Sequence, residues 1–109
     1  MYSPTSEVPD VHPTAPSNPE LGRAIRRLRR ARKLTIEGLA HASDMHPTYL
    51  SGIERGRRNP TWSKLTSLAH GLEVPVIQIV EDAEAEAQLT ERMRVARSEL
   101  GLSERFASS

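Results

Sequence analysis

Residues 35–56 read TIEGLAHASDMHPTYLSGIERG, and the organisation of the chain is worked out from this stretch. Thr35 stands where its hydroxyl can accept an amide hydrogen bond from a first helical turn. That predicts a short helix over 36–42, burying Ile36 or Leu39 together with Ala40. Ser43, Asp44 and Met45 make a tight connection, and Asp44 tolerates a left-handed backbone. His46 precedes Pro47, whose fixed φ suits the start of a helix. A second short helix is therefore expected over 47–55, with Leu50 and Ile53 inward and Gly56 as its stop.

Upstream, Asn18 can cap a helix, Pro19 fits its first position, and Glu20 meets its positive end. Leu21, Ala24, Ile25, Leu28 and Ala31 recur at helical spacing and predict a helix over 19–33. Arg23, Arg26, Arg27, Arg29, Arg30, Arg32 and Lys33 fill most of the remainder. Downstream, Arg57, Arg58, Asn59 and Pro60 read as loop, and Thr61 as the cap of a fourth helix. Its inward face is expected to be Trp62, Leu65, Leu68, Ala69 and Leu72. The β-branched run over 74–80 predicts either a short fifth helix from Val76 or a strand. From Asp82 the Ala-, Glu-, Gln- and Arg-rich sequence predicts one further helix, ended by Gly101. Leu89, Met93, Ala96 and Leu100 lie four, three and four apart on it, a narrow seam suited to pairing with a second copy or to capping the chain's own domain.

With 109 residues the chain is one small domain plus an arm or tail. It has no cysteine, which excludes a disulfide framework, a thiolate metal site and a cysteine nucleophile. Pro4, Pro9, Pro13 and Pro16, set among Ser and Thr, leave 1–17 without apolar periodicity and predict a disordered arm. That segment lacks the basic start and apolar stretch of a secretion signal, so a cytoplasmic location is expected. The apolar run over 74–80 is too short to span a bilayer. Charge is divided unevenly: −2 over 1–19, +5 over 20–81 and −2 over 82–109. A basic middle between acidic ends points to a polyanionic partner.

Two short helices joined by a three-residue turn make a helix-turn-helix. The segments RRLRRARKLTIEGLA (26–40), YLSGIERGRRNPT (49–61) and LTSLAHGL (65–72) together resemble the phage repressor and Cro type of DNA-binding domain, the XRE family. The resemblance covers roughly 21–80, about half the chain. It implies an all-α fold, a compact five-helix repressor-like domain with an additional C-terminal helix. The helix from Pro47 would then enter a major groove about 12 Å wide. His46, Thr48, Tyr49, Ser51 and Gly52 would be offered to base edges. Gly52 stands where many relatives have a polar reader, Pro47 where they often have Gln, and Ile36 where they usually have a Gln anchor. Arg57, Arg58 and Asn59 would hold phosphates, together with Thr61 and the helix amides it caps. Thr35 and its amides would hold a phosphate on the other flank. Arg29 and Glu54 match a family ion pair between the first helix and the recognition helix, whereas Arg23, Arg26, Arg27 and Arg30 are expected to form a solvated face.

His41, Asp44 and His46 match no common zinc arrangement. Ser43, His41 and Asp44 lie too close along one turn to form a nucleophile–base–orienter chain. No catalysis, metal or cofactor is therefore expected. The expected plan is an arm over 1–17, a DNA-binding domain over 18–81, a dimerising helix over 82–101 and a tail over 102–109. The expected function is sequence-specific binding of double-stranded DNA as a transcriptional regulator, by a homodimer on an inverted repeat, with no membrane partner. Two rivals stand beside it. One is the antitoxin of a toxin–antitoxin pair, whose arm or acidic last helix would wrap a second protein. The other is a protein-interaction module that has lost DNA reading, which Pro47, Gly52 and Ile36 keep open.

Overall fold

A computed structural model describes residues 16–100, so most of the expected arm, and the tail, lie outside the described residues. Five helices fill this span: α1 (Asn18–Ala31), α2 (Ile36–Ala42), α3 (Pro47–Glu54), α4 (Trp62–Leu72) and α5 (Val76–Leu100). Among the described residues there is no strand, so the run over 74–80 is the entry into α5. Ile25 of α1, Leu39 and Ala40 of α2, Leu50 and Ile53 of α3, Leu68, Ala69 and Leu72 of α4, and Ile79 of α5 close one aliphatic core. Burying each of the larger side chains contributes about 1.5–3 kcal/mol.

The helix ends follow local chemistry. Thr35 Oγ1 accepts from the Gly38 amide at 2.9 Å, and Thr61 Oγ1 from the Lys64 amide at 3.2 Å. The start of α1 differs from expectation. Ser17, not Asn18, is the cap, and Glu20 at the third helical position completes a capping box. The Glu20 carboxylate accepts from the Ser17 hydroxyl and, at 2.7 Å, from the Ser17 amide. These two bonds, the hydroxyl's first, hold the Glu20 carboxyl below its ordinary value.

The first four helices close alike, with one left-handed residue that lets two amides reach back into the last turn. After α1, Lys33 and Leu34 donate to the Arg30 and Arg29 carbonyls at 2.9 and 3.1 Å. After α4, Glu73 and Val74 donate to His70 and Ala69, both at 3.0 Å. Gly56 after α3 has φ +78°, but Lys33, Asp44 and Glu73 take φ of 59°, 55° and 59° with side chains attached.

Two expectations are corrected and a third is refined. Trp62 is 67% exposed, because no neighbour among the described residues covers it. The fifth helix and the additional C-terminal helix are one continuous α5, and Gln78 donates to Asp82 at 2.8 Å across the expected break. The α1 arginines Arg23, Arg26, Arg27 and Arg30 are exposed as expected, but two of them also make ionic contacts with α5. Arg23 donates to Glu86 at 3.1 Å and to Thr90 Oγ1 at 3.3 Å, and Arg27 pairs with the same Glu86. Earlier α1 residues thus meet later α5 residues, so the two helices run antiparallel. Ala83, Glu86 and Ala87 are buried in the process.

Two outcomes test this account. Lys33→Gly removes a left-handed penalty of about 1 kcal/mol, so the melting midpoint should rise by roughly 4–8 °C. For Glu20 the native carboxyl titrates below its unfolded value, so its contribution is full above the unfolded value. It is lost as pH falls through the native one. Glu20→Gln should therefore flatten the acid limb of stability against pH, measured by urea unfolding across that range.

Candidate nucleic-acid interface

The helix-turn-helix is held on its inner side by charge and by backbone contact. Arg29 Nε and Nη2 donate to the two Glu54 carboxylate oxygens at 2.7 and 3.1 Å, and Nη1 donates to the Leu34 carbonyl at 2.8 Å. Both side chains are buried. The hydrogen bond to Glu54 pushes the Arg29 guanidinium further above its ordinary value, so it stays charged. Beside the pair α1 and α3 touch through their backbones: a Cβ at Gly22 would strike the carbonyl oxygens of Ile53 and Glu54.

On the outer side, Thr48, Ser51 and Gly52 of α3 line a shallow groove. Pro47, Arg55, Arg57, Arg58 and, from the start of α2, Ile36 and Glu37 complete it. The remaining expected site residues lie outside this lining. His46 borders a neighbouring depression with His41 and Asp44, and its Nδ1 accepts from the Thr48 amide at 3.1 Å, capping α3. Thr35 and Thr61 are exposed caps on α2 and α4, and Asn59 is exposed in the loop. Tyr49 is half-buried against the core. Its ring lies 5.8 Å from the Arg58 guanidinium and 5.9 Å from the Lys64 ammonium, both within cation–π range.

Sequence reasoning missed two residues that line the groove, Glu37 and Arg55, and one beside it, Arg26. Arg55 follows Ser51 by four, a spacing that places both on one helix face. Arg26 of α1 borders a second depression with Ser51 and Arg55, so part of the α1 basic face adjoins the groove. Among the described residues no cluster of three or more His, Asp or Glu is arranged to hold a metal ion. None of the described helices is long and apolar enough to cross a membrane.

A basic groove on the second helix of a helix-turn-helix defines a DNA-binding class of protein. Comparison with known proteins agrees. The family described as a helix-turn-helix domain matches residues 20–80. A helix-turn-helix transcriptional regulator of Sinorhizobium fredii, y4dJ, is 43% identical over 60 residues, covering 55% of this chain and 78% of that protein. The immunity repressor of Bacillus phage phi105 is 34% identical over 101 residues, covering 82% of this chain and 70% of the repressor. Among solved structures, the clp gene regulator ClgR of Corynebacterium glutamicum superposes with a TM-score of 0.67 at 33% identity, over 74% of this chain and 87% of that one. The restriction-modification controller protein C.AhdI of Aeromonas hydrophila gives 0.55 at 33% identity, over 56% and 92%. The chain belongs to the helix-turn-helix family of DNA-binding transcriptional regulators, of the XRE type.

The ion pair gives the test for this site. Glu54→Ala leaves Arg29 charged and buried without its partner and should cost about 3–5 kcal/mol. The double variant Arg29→Met with Glu54→Leu should cost clearly less, as read from urea midpoints.

Proposed function

We propose that this protein represses or otherwise regulates transcription by sequence-specific binding to double-stranded DNA, as a homodimer on an inverted repeat. The observation that carries the reading is the groove where the outer face of α3 meets the basic loop of Arg57 and Arg58. In this reading Thr48, Ser51 and Tyr49, with His46 at the helix start, meet base edges. Arg57, Asn59 and the capped starts of α2 and α4 meet phosphates. The protein acts in the cytoplasm and carries out no chemistry of its own. Similarity to an immunity repressor over most of the chain supports repression as the mode.

Dimerisation is assigned to α5. Leu89, Met93 and Leu100 are 51%, 56% and 67% exposed, and Ala96 between them is exposed as well. They lie beyond the stretch of α5 buried against α1. Two copies paired along this seam would set their recognition helices about one DNA turn apart, roughly 34–36 Å.

Three measurements bear on the proposal. Selection from a random duplex library should enrich an inverted repeat, and no enrichment would leave only the interaction-module reading. Arg57→Ala should weaken binding to every duplex about equally and reduce the salt slope by about one unit. An unchanged slope would make Arg57 a solvated loop residue. Leu89→Glu combined with Met93→Glu should sediment as a monomer that still melts cooperatively, and a variant that still dimerises would move the contact off this seam.

A further inference from the structure

The geometry points to Arg58, a loop residue, as the principal base reader of this protein, holding guanine from the place that Gly52 leaves empty on α3. The inference rests on α3 being the recognition helix. A Cβ at Gly52 would lie 2.7 Å from Arg58 Cγ and 3.7 Å from its Nε. The Arg58 side chain, although exposed, therefore crosses α3 at position 52. Its backbone is tied to the same residue, since the Arg57 and Arg58 amides both donate to the Gly52 carbonyl, at 2.8 and 3.2 Å. The Tyr49 ring flanks the guanidinium at 5.8 Å. The Tyr49 ring and the surface of α3 at Gly52 thus hold the side chain on the outer face of the helix, and the amide bonds fix its backbone. This reduces the rotamer freedom it would lose on binding.

The chemistry of the groove favours the same assignment. Thr48 and Ser51 are short hydroxyls and cannot make a two-pronged contact with one base. A guanidinium can, and its fork matches O6 and N7 of guanine in the major groove. Arg55 also lines the groove, but among the described residues no aromatic ring holds its guanidinium as Tyr49 holds that of Arg58. Gly52 is then not a missing reader. It is the vacancy through which a neighbouring arginine reads.

The test is selection from a random duplex library with the full-length protein and the variants Arg58→Lys, Arg58→Ala and Gly52→Ala. The wild-type protein should enrich a guanine at one position per half-site. Both Arg58 variants should lose that preference by on the order of ten- to a hundredfold and keep the others. Gly52→Ala retains the arginine and gives α3 a better helix former. It should nevertheless lose the same guanine while melting no lower than wild type. Retention of the guanine in all three variants overturns the inference. So does uniform weakening of every duplex by Arg58→Ala with the salt slope reduced by about one unit, since Arg58 would then be holding phosphate. If the wild-type protein enriches no sequence, the α3 reading fails and this inference fails with it. If it enriches a site whose preferences move with Thr48→Ala but not with the Arg58 variants, only the inference fails.

Discussion

The pairing of Arg29 with Glu54 is the constraint on which the rest of the fold depends. Three guanidinium nitrogens find acceptors, two on a carboxylate at the end of α3 and one on the carbonyl of Leu34, between α1 and α2. One side chain thereby references both helices of the motif to α1. A buried ion pair adds little net stability over a well-packed apolar pair, but it is costly to break and directional. Direction is what a recognition helix needs. With Gly22 allowing backbone contact on the same side, α3 has little freedom to roll about its own axis, and its outer face is aimed.

A second ionic joint lies between α1 and α5. Glu86 is buried and faces two arginines one turn apart, Arg23 and Arg27. The pair exposes its cationic half, so solvent screens it more than the α1–α3 pair. Its effect is to make α5 an integral part of the domain. The boundary expected after Glu81 falls inside a continuous helix whose next turns are buried against α1.

Much of the fold is readable in the sequence because its punctuation is local. Thr35, Thr61 and Gly56 are where caps and stops require them, and the apolar spacing of α1 to α3 names the core. Periodicity fails where it says which face points inward but not how far the partner extends, and so Trp62 is misplaced. The start of α1 is readable too, since Ser17 and Glu20 have the spacing of a capping box, but the adjacent Asn18-Pro19 offers a competing signal. The continuity of α5 is also visible, because residues 76–100 contain neither Gly nor Pro, whereas the change in composition at Asp82 suggests a junction that the backbone does not make. In the candidate site, residue types mark the groove, but the lie of Arg58 over Gly52 is a tertiary fact that spacing cannot give.

The unbroken course of α5 has a consequence for operator architecture. A helix of 25 residues without a breaker is a rod of about 37 Å, in which axial reach and angular phase cannot be changed independently. One residue inserted between Ala87 and Leu89 would turn the exposed seam by about 100° relative to the reading head. Seven would restore the phase to within about 20° and add roughly 10.5 Å, close to three base steps. In the proposed dimer, the tolerated distance between half-sites is then a periodic function of helix length.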